Sequence, residues 1–152
     1  MMTARICETY PATTPAKLQR FERQFGVILP EDYSRFLLAS NGGRPVPDGL
    51  DVPFWPGKST RIHFFLGLHD GEHNNLASWM DELVDRLPDG CVPIAVDMGG
   101  NFLVLATRER RGQVYYWDAS ADYDLPEDSG TLFLLSNGIN ELLDGLLESP
   151  DT

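Results

Sequence analysis

Cations are scarce in this chain. Its 152 residues carry 12 Lys+Arg against 23 Asp+Glu, a formal net charge of −11. Such a surface repels nucleic acid, because gripping a phosphate backbone takes Lys and Arg, and it disfavours anionic membranes. No apolar run approaches the roughly 20 residues of a membrane span, and the N-terminus MMTARICETYP lacks the apolar core of a signal peptide. The expectation is a cytoplasmic protein. Cysteine is sparse too: Cys7 and Cys91 lack metal-type spacing and read as two thiols in a reduced compartment.

Histidine is limited to His63, His69 and His73. The three, with Asp70 and Glu72, make the one metal-like cluster, and His69 and His73 are four apart. Donors four apart converge on a helix, but not dependably in a turn containing Gly71, so a solvated polar turn is expected. There is no HExxH, no GxSxG elbow and no GxGxxG. Gly99-Gly100 lacks a following Lys-Ser/Thr and leads into an apolar strand. The acidic stretch after Asp118 fails as a calcium loop: counted from Asp122, the places for glycine and glutamate hold Glu127 and Phe133. No catalytic residue, metal or cofactor is expected, and the chain reads as a non-enzyme.

What is present is a foldable pattern. A 42% hydrophobic and 11% aromatic composition is globular, and the length suits one domain over 1–152, with 1–13 a loose lead-in or an edge segment and 149–152 a loose end. Thr14-Pro15 signals a helix start. Leu18, Phe21 and Phe25 share a helical face that Gly26 closes. Leu29-Pro30 restarts the chain, with Pro30 at the first helical position and Glu31 and Asp32 facing the helix dipole. Tyr33, Phe36, Leu37 and Ser40 point inward until Asn41-Gly42-Gly43 ends the helix. Asn75 caps the next, where Leu76, Trp79, Met80, Leu83, Val84 and Leu87 form an apolar face. Pro88-Asp89-Gly90 is its stop.

Ile62, Phe64, Leu66 and Leu68 alternate as one strand face. Val92–Val96, Phe102–Thr107 and Val114–Trp117 are strands joined by short polar turns, an antiparallel meander; the second is apolar on both faces, as a covered central strand would be. Thr131–Leu135 reads as a last short strand. Asn137 then caps a helix with Ile139, Leu142, Leu143, Leu146 and Leu147 on one side. The fold class is α+β, an antiparallel sheet with helices packed on it. The Arg44–Thr60 segment stands apart: Pro45, Pro47, Pro53 and Pro56 exclude a helix and a central strand. Its Phe54 and Trp55 are expected to tuck onto the core and pin the loop.

Phe25-Gly26, Leu29-Pro30, Asp32-Tyr33, Phe36-Leu37 and Asn41-Gly42-Gly43 together resemble the SUKH superfamily, which includes fungal cell-wall-assembly regulators of the SMI/KNR type and many bacterial immunity proteins. Pro93-Ile94-Ala95, Gly100-Asn101 and Gly112-x-Val-Tyr-x-Trp-Asp ending at Asp118 look like its sheet segment. Members often have histidine where Ala119 stands here. The resemblance implies a binding scaffold: a bacterial immunity protein that neutralises a polymorphic toxin, often a nuclease, by direct protein–protein contact. The alternative it implies is a regulatory or scaffold protein of the cell-wall-regulator type. The −11 charge suits a cationic toxin domain as partner. Two loops supply carboxylates and an aromatic anchor, so the partner-binding residues are read as Trp55, Asp122, Tyr123, Asp124, Glu127 and Asp128. The opposing reading makes Trp55 core and leaves the acids merely solvated.

Overall fold

α1 (Pro15–Phe25) begins as the sequence indicates. The Thr14 hydroxyl accepts from the Lys17 N–H at 3.2 Å, Pro15 takes the first turn, and Gly26 closes the helix at φ 68°. The structure is a computed structural model, and it describes residues 4–118 and 132–148. α2 (Glu31–Ser40) starts one residue later than expected. Pro30 has an extended ψ of 148° and so caps the helix instead of joining it.

Asn41 ends α2 in the left-handed region at φ 50°. Its side chain does more than cap. Nδ2 donates to the carbonyls of Pro11 (2.7 Å) and Leu68 (2.8 Å), and Oδ1 accepts from the Leu68 N–H (2.8 Å). Gly67 passes so close that a Cβ there would sit 2.3 Å from the Asn41 carbonyl oxygen. The Asn-Gly-Gly motif is thus a clasp joining three separate stretches of chain.

The lead-in to α1 carries an edge strand, β1 (Arg5–Cys7), paired antiparallel with β2 (Arg44–Val46) in a two-stranded sheet. The main sheet is antiparallel and runs in simple sequence order: β3 (Gly49–Asp51), β4 (Ser59–Phe65), β5 (Cys91–Asp97), β6 (Phe102–Ala106), β7 (Val114–Trp117) and β8 (Leu132–Ser136). The proline-rich segment therefore holds strands, but short ones at edges, where a missing N–H is tolerated. The outer side of β3 is covered by the stretch after the last helix: Gly49 and Leu147 exchange backbone hydrogen bonds at 2.7 and 2.9 Å.

The regular alternation expected from Ile62 to Leu68 is interrupted. A bulge between Ile62 and Phe64 shifts the register, so Ile62, Phe65 and Leu66 are buried and Phe64 is half-buried. β6 is buried at every position, as a strand covered on both faces must be. Leu103 and Leu105 join the main core with Leu18, Phe21, Tyr33, Leu37, Ile139 and Leu142; Phe102, Val104 and Trp117 join a second cluster with Trp79 and Leu83 of α3 (Leu76–Leu83). Asn75 caps α3, accepting from the Ser78 N–H at 3.1 Å.

Three helix-end expectations need correction. α3 stops at Leu83, because the Arg86 and Leu87 N–H groups both turn back to its carbonyl at 2.8 Å; Val84 consequently faces solvent at 67% exposure. α4 (Ile139–Asp144) is capped by Gly138, and the Asn137 side chain instead accepts from Gln113 at 3.1 Å. Leu147 lies beyond α4, half-exposed, in the bridge to Gly49. The charged 108–112 turn braces the fold as well. Arg111 donates to the carbonyls of Ile28, Leu29 and Thr107 and ties the α1–α2 connection to the end of β6. Among the described residues no helix is long and apolar enough to cross a membrane.

Candidate functional site

The loop from Val52 to Lys58 joins β3 to β4 and closes on itself. The Val52 N–H donates to the Lys58 carbonyl (2.8 Å), the Lys58 N–H to that of Trp55 (2.9 Å), and the Trp55 N–H to that of Val52 (3.3 Å). Pro53 and Pro56 restrict it further, since each fixes its own φ. Gly57 is required for space: a Cβ there would meet the Trp55 ring at 2.3 Å. Phe54 and Lys58 are held at φ 70° and 69°, where an L-residue costs roughly 1–2 kcal/mol. The surrounding hydrogen bonds and ring packing overcome that cost.

Within this loop the two aromatics part company. Trp55 is half-buried, with its ring centroid 4.7 Å from that of Tyr116 and its indole N–H donating to Asp118 Oδ2 at 3.0 Å. It packs onto the core, as the pinning expectation had it. Phe54 does not: it is 98% exposed. The expectation that both rings tuck inward fails at Phe54, because the left-handed backbone turns that one side chain out while Trp55 takes the place over Tyr116.

Tyr116 rests in turn on a polar centre inside the sheet. Its hydroxyl donates to Asp97 Oδ2 (2.5 Å) and accepts from Asn101 Nδ2 (2.9 Å). Asp97 also accepts from Thr60 Oγ1 (2.8 Å) and from the N–H groups of Gly99 (2.9 Å) and Asn101 (2.7 Å). Burial, and then the bond to Asp97, hold the Tyr116 phenol well above its ordinary range. This network braces the Asp97–Asn101 turn, and it is a stable platform beneath Trp55.

Of the residues read from the sequence as partner-binding, the structure places Trp55. Asp122, Tyr123, Asp124, Glu127 and Asp128 lie outside the described residues. Asp118, the residue Trp55 holds, is the last described residue before them. Sequence reasoning missed Phe54 as a surface residue. The signal was available in part: a Pro-Phe-Trp-Pro-Gly run forces a tight turn, and adjacent aromatics in a tight turn cannot both point inward.

The HDGEH turn is solvated at Asp70, Gly71, Glu72 and His73, as expected, while His69 is tied down. His69 is half-buried and stacks on Tyr10, ring centroids 3.9 Å apart. Its Nδ1 accepts from the Gly71 N–H (2.9 Å), which leaves the proton on Nε2 to donate to the Asn74 carbonyl (3.3 Å). Both ring nitrogens are therefore engaged by backbone. Among the described residues no three His, Cys, Asp or Glu side chains are gathered as a metal would need. An open cleft of about 730 Å³ lies beside this turn, lined by Tyr10, Lys17, Arg20 and His73 among others.

Residues 12–145 match the model of the SMI1 / KNR4 family (SUKH-1). The chain belongs to this family. The SUKH-1 match takes in α1, the Asn-Gly-Gly clasp, the whole meander and α4. The chain is also similar to a SPbeta prophage-derived uncharacterized protein of Bacillus subtilis (strain 168), YokK. The two are 27% identical over 157 residues, spanning 93% of this chain and 79% of that protein.

Proposed function

We propose that this SUKH-1 chain is a non-enzymatic binding protein that neutralises a bacterial toxin by direct protein–protein contact in the cytoplasm, with a cationic toxin domain as its partner. The observation that carries the reading is a pre-formed loop displaying an aromatic side chain on a protein of net charge −11. A rigid aromatic with opposite-charge attraction is the combination that gives protein interfaces both grip and a fast encounter. Family membership supports the class, and the prophage origin of a relative fits a gene that travels with mobile elements. A nuclease is the toxin type that fits the charge, because its active site is cationic to hold phosphate and acidic groups can stand in for that phosphate.

The test is co-expression with any toxin-like domain found encoded near this gene. Growth should be restored by the chain, and the purified proteins should form a stable complex. Undiminished toxicity with the chain present would defeat the reading. It would favour the regulatory role implied by resemblance to the cell-wall regulators.

A further inference from the structure

We propose that Phe54 is the anchor of the interface: the side chain this protein inserts into an apolar recess on its cationic protein partner. The inference rests on the binding reading above and names the residue that gives it grip.

Four observations converge on Phe54. It is 98% exposed, the most exposed of the large apolar side chains among the described residues. Its backbone is fixed at φ 70° by a loop whose N–H groups at Val52, Trp55 and Lys58 are all satisfied within the loop itself. It therefore cannot fold back onto the core without breaking those bonds. The loop is bolted down on either side of it: Val52 is 1% exposed, and Trp55 is held by Tyr116 and Asp118. The base under Trp55 is stiff as well, because Tyr116 is tied to Asp97 and Asn101. A protruding aromatic on a floppy loop would lose much of its binding energy to ordering. Here the backbone is held before any partner arrives, and only the rotamers of the ring remain to be fixed. The strained φ belongs to the loop closure that seats Trp55, and its consequence is that the neighbouring ring is presented to solvent.

The occupant follows from charge. Two copies of a −11 protein repel, nucleic acid is excluded by the same sign, and an anionic membrane surface is too. A protein domain with a basic face and an apolar recess satisfies both the charge and the ring. Flat-sided rings that fill such recesses dominate interface energetics, whereas charges around them chiefly govern encounter rate.

The decisive measurement is the association and dissociation kinetics of the full chain with a toxin domain that it protects against in that co-expression test, for wild type, Phe54→Ala and Phe54→Leu. Phe54→Ala should dissociate at least about tenfold faster, with an association rate and salt dependence close to wild type. Phe54→Leu, which restores apolar volume, should recover part of the loss. The melting temperature of both variants should match wild type, because the ring makes no core contact. A Phe54→Ala variant that dissociates at the wild-type rate overturns the anchor and leaves the binding reading standing. A wild-type chain that neither binds nor protects overturns the binding reading, and Phe54's partner with it.

Discussion

The indole nitrogen of Trp55 lies 3.0 Å from Asp118 Oδ2, a hydrogen bond between residues 63 apart in sequence. It joins the proline-rich hairpin loop to the residue that follows β7. The pair fastens the aromatic loop, so its strength is measurable as a coupling. Trp55→Phe and Asp118→Asn should each cost about 1–2 kcal/mol, the range for a partly screened bond to a charged acceptor. The double variant should cost little more than the larger single loss. Additive losses in urea unfolding would show that the two side chains act independently.

Asn41 is sensitive to a small change. It is 1% exposed and satisfies the carbonyls of Pro11 and Leu68 and the Leu68 N–H. Asn41→Ala strands these groups and should cost about 2–4 kcal/mol, the penalty for several buried unpaired polar groups. Asn41→Asp should fare no better, since a carboxylate would face two carbonyl oxygens. Thermal unfolding of either variant at the wild-type temperature would refute the clasp.

Phe36 is buried at 8% exposure and meets Phe65 edge-on, ring centroids 5.1 Å apart. Truncation to alanine should cost about 3–5 kcal/mol, from lost apolar burial and the cavity left behind. A denaturation midpoint unmoved by Phe36→Ala would mean that α2 does not pack against β4 as described.

Cys91 has its thiol pushed up from 9.0 to about 11, first by burial and then by nearby Asp89. The folded protein therefore holds this proton more tightly than the unfolded chain does. The stability it contributes is complete below about pH 9 and falls away as pH rises through about 11. At pH 8 the native thiolate fraction is about a hundredfold below that of an unfolded cysteine. Iodoacetamide labelling of Cys91, followed by mass spectrometry, should be correspondingly slow in native protein and rapid in denaturant. Equal rates would contradict the burial.

The sequence by itself determined the order and kind of the elements. Thr14-Pro15, Gly26, Asn75 and the Asn-Gly-Gly end of α2 are local signals, because a cap or a positive φ is decided by a few neighbouring residues. The apolar run Phe102–Ala106 disclosed a strand covered on both faces, since no exposed strand tolerates that composition. Tertiary structure decided what depends on distant partners. The bulge between Ile62 and Phe64 is set by pairing with β5, and α3 ends where the Arg86 and Leu87 N–H groups turn back to the Leu83 carbonyl. Asn41 looked like a helix terminator from its neighbours, yet its amide serves backbone groups 30 and 27 positions away. Phe54 and Trp55 are both large aromatics and adjacent in sequence. The closure of the loop places Trp55 over Tyr116, where its indole N–H reaches Asp118, and sends the Phe54 ring into solvent.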